Sequence, residues 1–380
     1  MMQLISLFQE AGYTITFAST ASETEYSETL QHREITTRTI LLNNASFDSF
    51  VTELNPSIVL FDRYITEEQF GWRVAENCPN ALRILDTEDL HFLRKAREEA
   101  FKKNMEIDLF SETAKRELAS IIRSDLSLII SEAEMTLLKD TFQIPLGILY
   151  YLPFLFEENS ENVPSFQERQ HFISIGNFLH APNVDAVVFL KNDIWPKIKQ
   201  QLPEAELHIY GAYAPKHILE MHNKKEGFII KGWAENVKTV MEKAKVCLAP
   251  LRFGAGLKGK LLDAAINGTP AVTTSIGAEG MYTIAISRED VSAFVDASVP
   301  LYSQEKIWKE QQKEAFQVVA KHFKRENFSK DFIEKINRLQ TQLKQHRQAH
   351  FMGQILQHQS LQATKFMSKW IEEKHKIKAE

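Results

Sequence analysis

Residues 249–281 read APLRFGAGLKGKLLDAAINGTPAVTTSIGAEGM. An apolar strand ends near Pro250. A loop with Gly254, Gly256 and Gly259 follows, and then a helix carrying Leu261, Leu262, Ala265 and Ile266. Gly268 stands where a helix C-cap belongs, and Pro270 prevents continuation. A loop that opens a helix at the carboxyl end of a parallel strand aims backbone N–H groups at an anion. Arg252, Lys258 and Lys260 add positive charge at the same place. The helix dipole supplies only ~0.3–1 kcal/mol. Lysines and aimed amides would therefore carry most of the attraction for a diphosphate. A bland reading stands beside this one: Gly-rich turns before helices are common, and surface lysines are usually solvated.

Around this stretch, strand-like runs at 171–177, 206–212, 227–233, 245–251 and 271–275 alternate with helical stretches at 182–201, 236–244 and 257–267. The pattern predicts a doubly wound domain over 171–302. An earlier set has a helix from the first residues to Gly12. Strands follow at 13–19, 39–44, 57–62, 82–86, 127–131 and 147–154, with helices at 47–54, 67–75 and 111–122. It predicts a first Rossmann-like domain over 1–154. The polar, acidic segment 155–170 with Pro164 reads as a linker, and 303–380 reads as helix only. The expected fold class is α/β, with two Rossmann-like domains facing a cleft and a C-terminal helical extension that braces both.

The chain has 380 residues, 44% hydrophobic and 25% charged, so it suits two ordinary soluble domains. With 45 basic and 50 acidic residues, its surface is not built for nucleic acid. Cys78 and Cys247 lie far apart without metal-ligand spacing and read as reduced, buried thiols. No apolar run reaches the ~18–20 residues that span a bilayer. The start, MMQLISLFQEAGY, lacks the basic region and cleavage site of a signal peptide. The expected location is cytoplasmic, at the inner membrane face if the acceptor is a lipid.

The proline-ended strand, Gly-containing loop, acid on the next helix, Gly-Thr-Pro and Gly-Ala-Glu-Gly run of 249–281 resembles the donor site of retaining GT-B glycosyltransferases. ERQHFISIGNFLHAPNVDAVVFLKNDIWPKIKQQLPEAELHIYG (168–211) and KGWAENVKTVMEKAKVCLAPL (231–251) extend the similarity over about 168–281. The resemblance implies transfer of a sugar from a nucleotide-sugar to an acceptor hydroxyl, without cofactor or obligatory metal. It implies donor contacts from Gly176, Arg252, Gly254, Gly256, Lys258, Lys260, Asp263, Gly277, Glu279 and Gly280. Lys258 and Asp263 would then be catalytic, with the lysines and Arg252 stabilising the departing nucleotide. Many relatives place two glutamates eight positions apart. Here Ala255 holds the first place and the shorter acid Asp263 the second. The sugar would be read through loop amides and Glu279, or bound weakly.

On the acceptor side the resemblance points to Asp86, Asp89 and His91, with His91 or Asp89 orienting the acceptor hydroxyl. The local alternative is that Asp86 or Thr87 caps the following helix. Asp62 and Arg63 either face the cleft or pair locally. Ser131 and Glu134 fit a capping box. GT-B chains usually open with a strand and Gly-rich loop, whereas this one starts inside the first helix. The expectation is a late start or a fragment whose first sheet has an unfilled slot. Rival functions are a nucleotide-sugar epimerase, a catalytically silent nucleotide-sugar or partner binder, and an interaction protein working through its helical tail. The expected partners are a nucleotide-sugar and a carbohydrate or lipid-linked acceptor, in polysaccharide or glycolipid synthesis.

Overall fold

The computed structural model describes residues 1–22, 30, 35–157 and 163–379. It contains two compact units. The first comprises 1–88, 110–152 and 328–380, and the second 89–109 and 153–327. The expected linker 155–170 falls partly on 158–162, which lie outside the described residues. Its far end is ordered by a capping box, in which the Ser165 amide and hydroxyl both donate to Glu168 Oε2, at 2.8 and 2.6 Å.

In the first unit, β3 (Ile58–Asp62), β4 (Leu82–Asp86), β5 (Leu126–Ile129) and β6 (Leu149–Tyr151) form a parallel sheet in chain order. β1 (Thr16–Ser19) and β2 (Thr36–Thr39) form a separate parallel pair. β2 therefore lies upstream of the predicted 39–44. Turn chemistry explains the shift. Asn43 takes a left-handed conformation with φ 50°, and Asn44 Oδ1 accepts from the Ser46 amide at 2.9 Å, which starts the helix Ser46–Leu54. The opening helix Met2–Glu10 buries Leu4, Ile5, Leu7 and Phe8, and Gly12 at φ 84° ends it as predicted.

The second unit holds a six-stranded all-parallel sheet in the order β12 (Ile286–Ser287), β11 (Ala271–Thr273), β10 (Ala244–Ala249), β7 (Gln170–Ile175), β8 (Leu207–Tyr210), β9 (Phe228–Gly232). β7 is first in the chain yet central, so the winding reverses between β7 and β10. That reversal opens a crevice at their carboxyl ends. Phe172, Leu207, Ile209, Val246, Leu248 and Val272 fill the sheet side of one core, and Trp195, Phe294 and Trp308 close it. The predicted helix 182–201 is two α-helices, Ala181–Phe189 and Trp195–Gln201, joined by a π segment Leu190–Ile194. Pro196 has no N–H for the α ladder, and the wider turn absorbs that break.

Arg169 ties the other pole of this sheet together. Its guanidinium is buried and donates to the carbonyls of Pro164, Met241, Ala244 and Asn267 and to Thr269 Oγ1, at 2.7–3.2 Å. Burial pulls its pKa down to about 10. Cys78 and Cys247 are both free and buried.

Arg169→Met would strand these acceptors in the interior, and truncating a buried charged donor of this kind costs about 3 kcal/mol or more. The expected result is a melting temperature lower by roughly 6–12 °C, measured by calorimetry against the wild-type chain.

Candidate functional site

The loops that follow β7, β10 and β11 meet at the crevice, and they carry most of the expected donor residues. After β10, the helix Gly259–Ile266 begins with Lys258 at its N-cap. Gly268 follows at φ 68°, with its amide bonded to Ala265 O and that of Thr269 to Ala264 O, so the predicted glycine C-cap is present. After β11, Thr274 caps the short turn Ser275–Ala278 by accepting from the Gly277 amide at 3.2 Å. A Cβ on Gly277 would sit 1.8 Å from Thr273 Oγ1, so only glycine fits there.

The three cations of the β10 loop have unequal partners. Arg252 donates through Nε and Nη2 to the two oxygens of Asp185, at 2.8 and 2.6 Å. It also lies over the rings of Phe101 and Phe189, at 4.7 and 4.5 Å. The Lys258 ammonium, almost wholly buried, donates to Ala255 O at 2.9 Å and Gly256 O at 2.5 Å. Lys260 donates to Asn183 Oδ1 at 2.7 Å. Burial, opposed by Cys247 and aided by Lys258, pulls the Lys260 pKa down to about 8. Asn183 itself packs against Gly176, where a Cβ would meet its side chain at 2.6–2.8 Å. Lys260 thus donates to an amide oxygen and Lys258 to two loop carbonyls, with Glu279 within its Coulombic reach, while Arg252 is matched by a carboxylate at hydrogen-bond distance.

Asp263 lies one turn into the same helix. Its carboxylate is half-buried and makes no hydrogen bond or ion pair among the described residues. Burial pushes its pKa up to about 6. Such a group accepts hydroxyl hydrogen bonds readily.

Glu279 is engaged. Arg97 grips it with Nη1 at 2.6 Å and Nη2 at 2.8 Å, and the same Nη1 donates to Gly254 O at 2.9 Å. Burial raises the Glu279 pKa, but the bonds and charge of Arg97 together with the charge of Lys258 outweigh it, and the net shift is downward. Arg97, Asn183 and Asp185 escaped the sequence reading. Each stands on a helix far from 249–281 in the chain, and only the bidentate potential of an arginine beside an orphan glutamate could have hinted at Arg97.

The expected acceptor cluster is divided by the structure. Asp86 ends β4 in the first unit, while Asp89 and His91 fall in the second. His91 Nε2 lies 3.4 Å from Asp89 Oδ1, and Arg94 Nη1 donates to Asp89 Oδ2 at 2.9 Å. The capping alternative fails for both candidates. The helix His91–Lys103 has Leu90 at its N-cap and no side-chain cap. The Asp86 carboxylate accepts from the Glu88 amide, and Thr87 Oγ1 donates to Leu128 O at 2.8 Å. Burial raises the Asp86 pKa. Arg63 pairs with its neighbour Asp62 at 3.1 and 3.2 Å, the local alternative. Ser131 occupies the N-cap of Glu132–Asp140 but makes no side-chain cap hydrogen bond, so no capping box forms there. Among the described residues no group of three His, Cys, Asp or Glu could hold a metal ion.

Asp263 gives a signed pH dependence. A carboxyl whose folded pKa near 6 exceeds its usual 3.8 favours folding when protonated, and that favour is lost as pH rises through 6. Asp263→Asn should leave stability unchanged at about pH 3.5 and raise it by on the order of 2–3 kcal/mol at about pH 7.5. Parallel melting curves across that range check it.

Residues 169–304 match the family described as Glycosyl transferases group 1. No curated protein sequence matches the chain. Among solved structures, S. aureus TarM in complex with fondaparinux, alpha-GlcNAc-glycerol and UDP is similar at 14% identity and a TM-score of 0.59, covering 77% of this chain and 58% of its own. WaaG, a glycosyltransferase involved in lipopolysaccharide biosynthesis, is similar at 13% and 0.60, covering 87% and 93%. Anabaena HepE in complex with UDP and glucose is similar at 10% and 0.67, covering 89% and 95%. The chain thus spans less than two thirds of the length of TarM and nearly the whole of the other two. Beyond the matched residues 169–304, the chain shares with these solved structures their α/β fold with parallel sheets.

Proposed function

We propose that this protein transfers a sugar from a nucleotide-sugar to an acceptor hydroxyl with retention of configuration, in polysaccharide or glycolipid synthesis. The observation that carries the reading is the gathering of the Lys258 and Lys260 ammoniums at the β7/β10 switch point, Lys258 on loop carbonyls and Lys260 on the Asn183 amide oxygen. Two ammonium groups held in this way favour a dianionic diphosphate over the carbonyls they now touch. In this reading the Lys258 and Lys260 ammoniums and the amides of the Gly254–Gly259 loop receive the charge that grows on the departing diphosphate. Asp263 accepts from the ribose hydroxyls. Arg252, neutralised by Asp185, shapes the wall of the site. Arg97 keeps Glu279 and the Gly254 carbonyl in place, so Glu279 reads the sugar only through oxygen lone pairs left free by that grip. Asp89 and His91 form the acceptor side, with His91 held by Asp89.

No protein base is required if the leaving phosphate oxygen takes the acceptor proton. We propose no resident metal or cofactor. UDP is the first nucleotide to test, since TarM and HepE were solved with it.

A catalytically silent nucleotide-sugar binder is the second reading. Ala255 at the usual acidic place favours it, as does the engagement of Glu279 by Arg97. Release of sugar to an acceptor or to water separates the two.

UDP at 100 times its dissociation constant should stabilise the chain by ~2.7 kcal/mol, read as a rise in melting temperature. Lys258→Ala should abolish most of that rise. Absence of a shift with UDP, GDP, ADP, CMP and dTDP alike would sink the donor-site reading. Because Lys260 titrates near 8, nucleotide binding at about pH 8.5 should take up a fraction of a proton, detected by calorimetry in buffers of different ionisation enthalpy. Lys260→Met should remove the uptake.

The proposal includes contact with an anionic membrane surface. The helix Phe351–Ala379 exposes Phe351, Ile355, Phe366, Trp370 and Ile377 at helical spacing, and Lys369 and Lys374 flank them. No described helix is long and apolar enough to cross a membrane. Cosedimentation with anionic vesicles should exceed that with neutral ones, and Phe366→Ser with Trp370→Ser should reduce it.

A further inference from the structure

The first unit contains a cavity of about 330 Å³, within the size range of small-ligand sites. Trp72, Arg83, Arg347, Gln357 and Lys365 line it. Arg83 stands near the start of β4, so the cavity lies at the amino-terminal pole of the sheet. Ligand loops of α/β sheets gather at the other pole. This cavity is therefore separate from any acceptor or donor site at the strand ends.

Two observations point to an occupant. The first is hydrogen bonding. Trp72 is 2% exposed, and its Nε1 is buried without a hydrogen-bond acceptor among the described residues. The same holds for Gln357 Nε2. Both residues line the cavity, and buried donors are rarely left unmatched unless a water or ligand meets them.

The second is charge. Asp125 pairs with both arginines, and Arg347 also donates to the carbonyls of Pro79 and Ala81. Its Oδ1 accepts from Arg347 Nε at 2.8 Å, and its Oδ2 accepts from Arg347 Nη2 at 2.8 Å and from the Arg83 amide at 2.9 Å. The Arg83 side chain reaches the same Oδ2 only at 3.5 Å. The neighbouring cations are matched elsewhere. Lys365 pairs with Glu76, Arg123 with Glu67, and Arg73 with Asp48 and Glu372. Two guanidiniums on one carboxylate make a local excess of positive charge at Arg83 and Arg347, whereas Arg73, outside the wall, has two carboxylates of its own. Burial, together with repulsion by Arg347, accordingly holds the Arg83 pKa below the usual arginine value despite Asp125.

We propose that this cavity binds a small oxyanion, a phosphate or carboxylate group, which accepts from Trp72 Nε1 and Gln357 Nε2 and balances the Arg83–Arg347 pair. The site needs no nucleotide-sugar and no transferase activity, so it stands or falls apart from the donor site.

The test uses the full chain labelled with nitrogen-15 in its indoles, with the Trp72 N–H resonance assigned by its disappearance in Trp72→Phe. Inorganic phosphate and acetate are titrated separately, each against sodium chloride at matched ionic strength. A saturable movement of the Trp72 resonance with either anion supports the proposal and identifies the group bound. Gln357→Met, which keeps shape but removes the donor, should then weaken the affinity about tenfold. Lys365→Met serves as the second variant if that one misfolds, with a smaller loss expected. A resonance that stays still to ~20 mM of both anions, or that moves equally with chloride, would overturn the proposal.

Discussion

One buried guanidinium sets the frame of the second unit. Arg169 gathers carbonyls from the segment before β7, from the helix before β10 and from the turn before β11, and it closes on the Thr269 hydroxyl. Without the guanidinium these oxygens would lose a donor at the edge of an apolar core, although the Met241 carbonyl also accepts from Thr269 Oγ1. The arginine has no direct carboxylate partner there. It is held by dipoles alone, with the Trp308 ring 5.3 Å away. Charge on that scale is tolerated in the interior because each of the three guanidinium nitrogens donates to an oxygen. With β7, β10 and β11 locked together at their starts, their far ends are fixed as well, and those ends carry the loops of the candidate site.

At that far pole the logic is reversed. Charge is held there mostly on loop and side-chain oxygens that a ligand could replace. Arg252 is matched by Asp185 and packed between Phe101 and Phe189, so it behaves as a wall. Lys258 and Lys260 are held on uncharged oxygens, and burial already weakens the protonation of Lys260. Asp263, half-buried, stays closer to neutrality than an ordinary aspartate. Lysines gathered on loop carbonyls and an amide oxygen, beside the half-buried Asp263 carboxyl, form a polar site that an anionic, hydroxyl-bearing ligand would complete. Arg97 supplies the rigidity. By bonding Glu279 and the Gly254 carbonyl it couples the loops after β10 and β11 to the helix His91–Lys103.

The glycines show how closely local and tertiary demands agree. Gly268 is required by its own backbone, since a left-handed residue ends the helix Gly259–Ile266. Gly277 is required by a neighbour, since Thr273 Oγ1 occupies the space of a side chain. The first demand can be read from a helix followed by Gly-Thr-Pro. The second depends on how β11 turns back upon itself, and no spacing rule announces it.

The sequence determined much of this protein by itself. Alternating apolar runs placed β4 at Leu82–Asp86 and β7 to β11 of the second unit to within a few residues, but not the short edge strand β12. Gly268, Pro270 and the loop glycines marked the strand–loop–helix unit. Periodicity and turn chemistry are local, so they survive without knowledge of the fold. They faltered where local rules competed: at β2, where Asn43 and Asn44 impose a turn, and at 182–201, where Pro196 opens the helix into a π segment. Only the tertiary structure decided the partners. Asp185 neutralises Arg252, Asn183 rather than a carboxylate holds Lys260, and Arg97 engages Glu279. It also placed Asp89 and His91 in a different unit from Asp86. The physical reason is that a side chain's charge, reach and pKa depend on what desolvates it and what lies within about 3 Å. Those neighbours come from segments tens to hundreds of residues away, which periodicity along the chain does not encode.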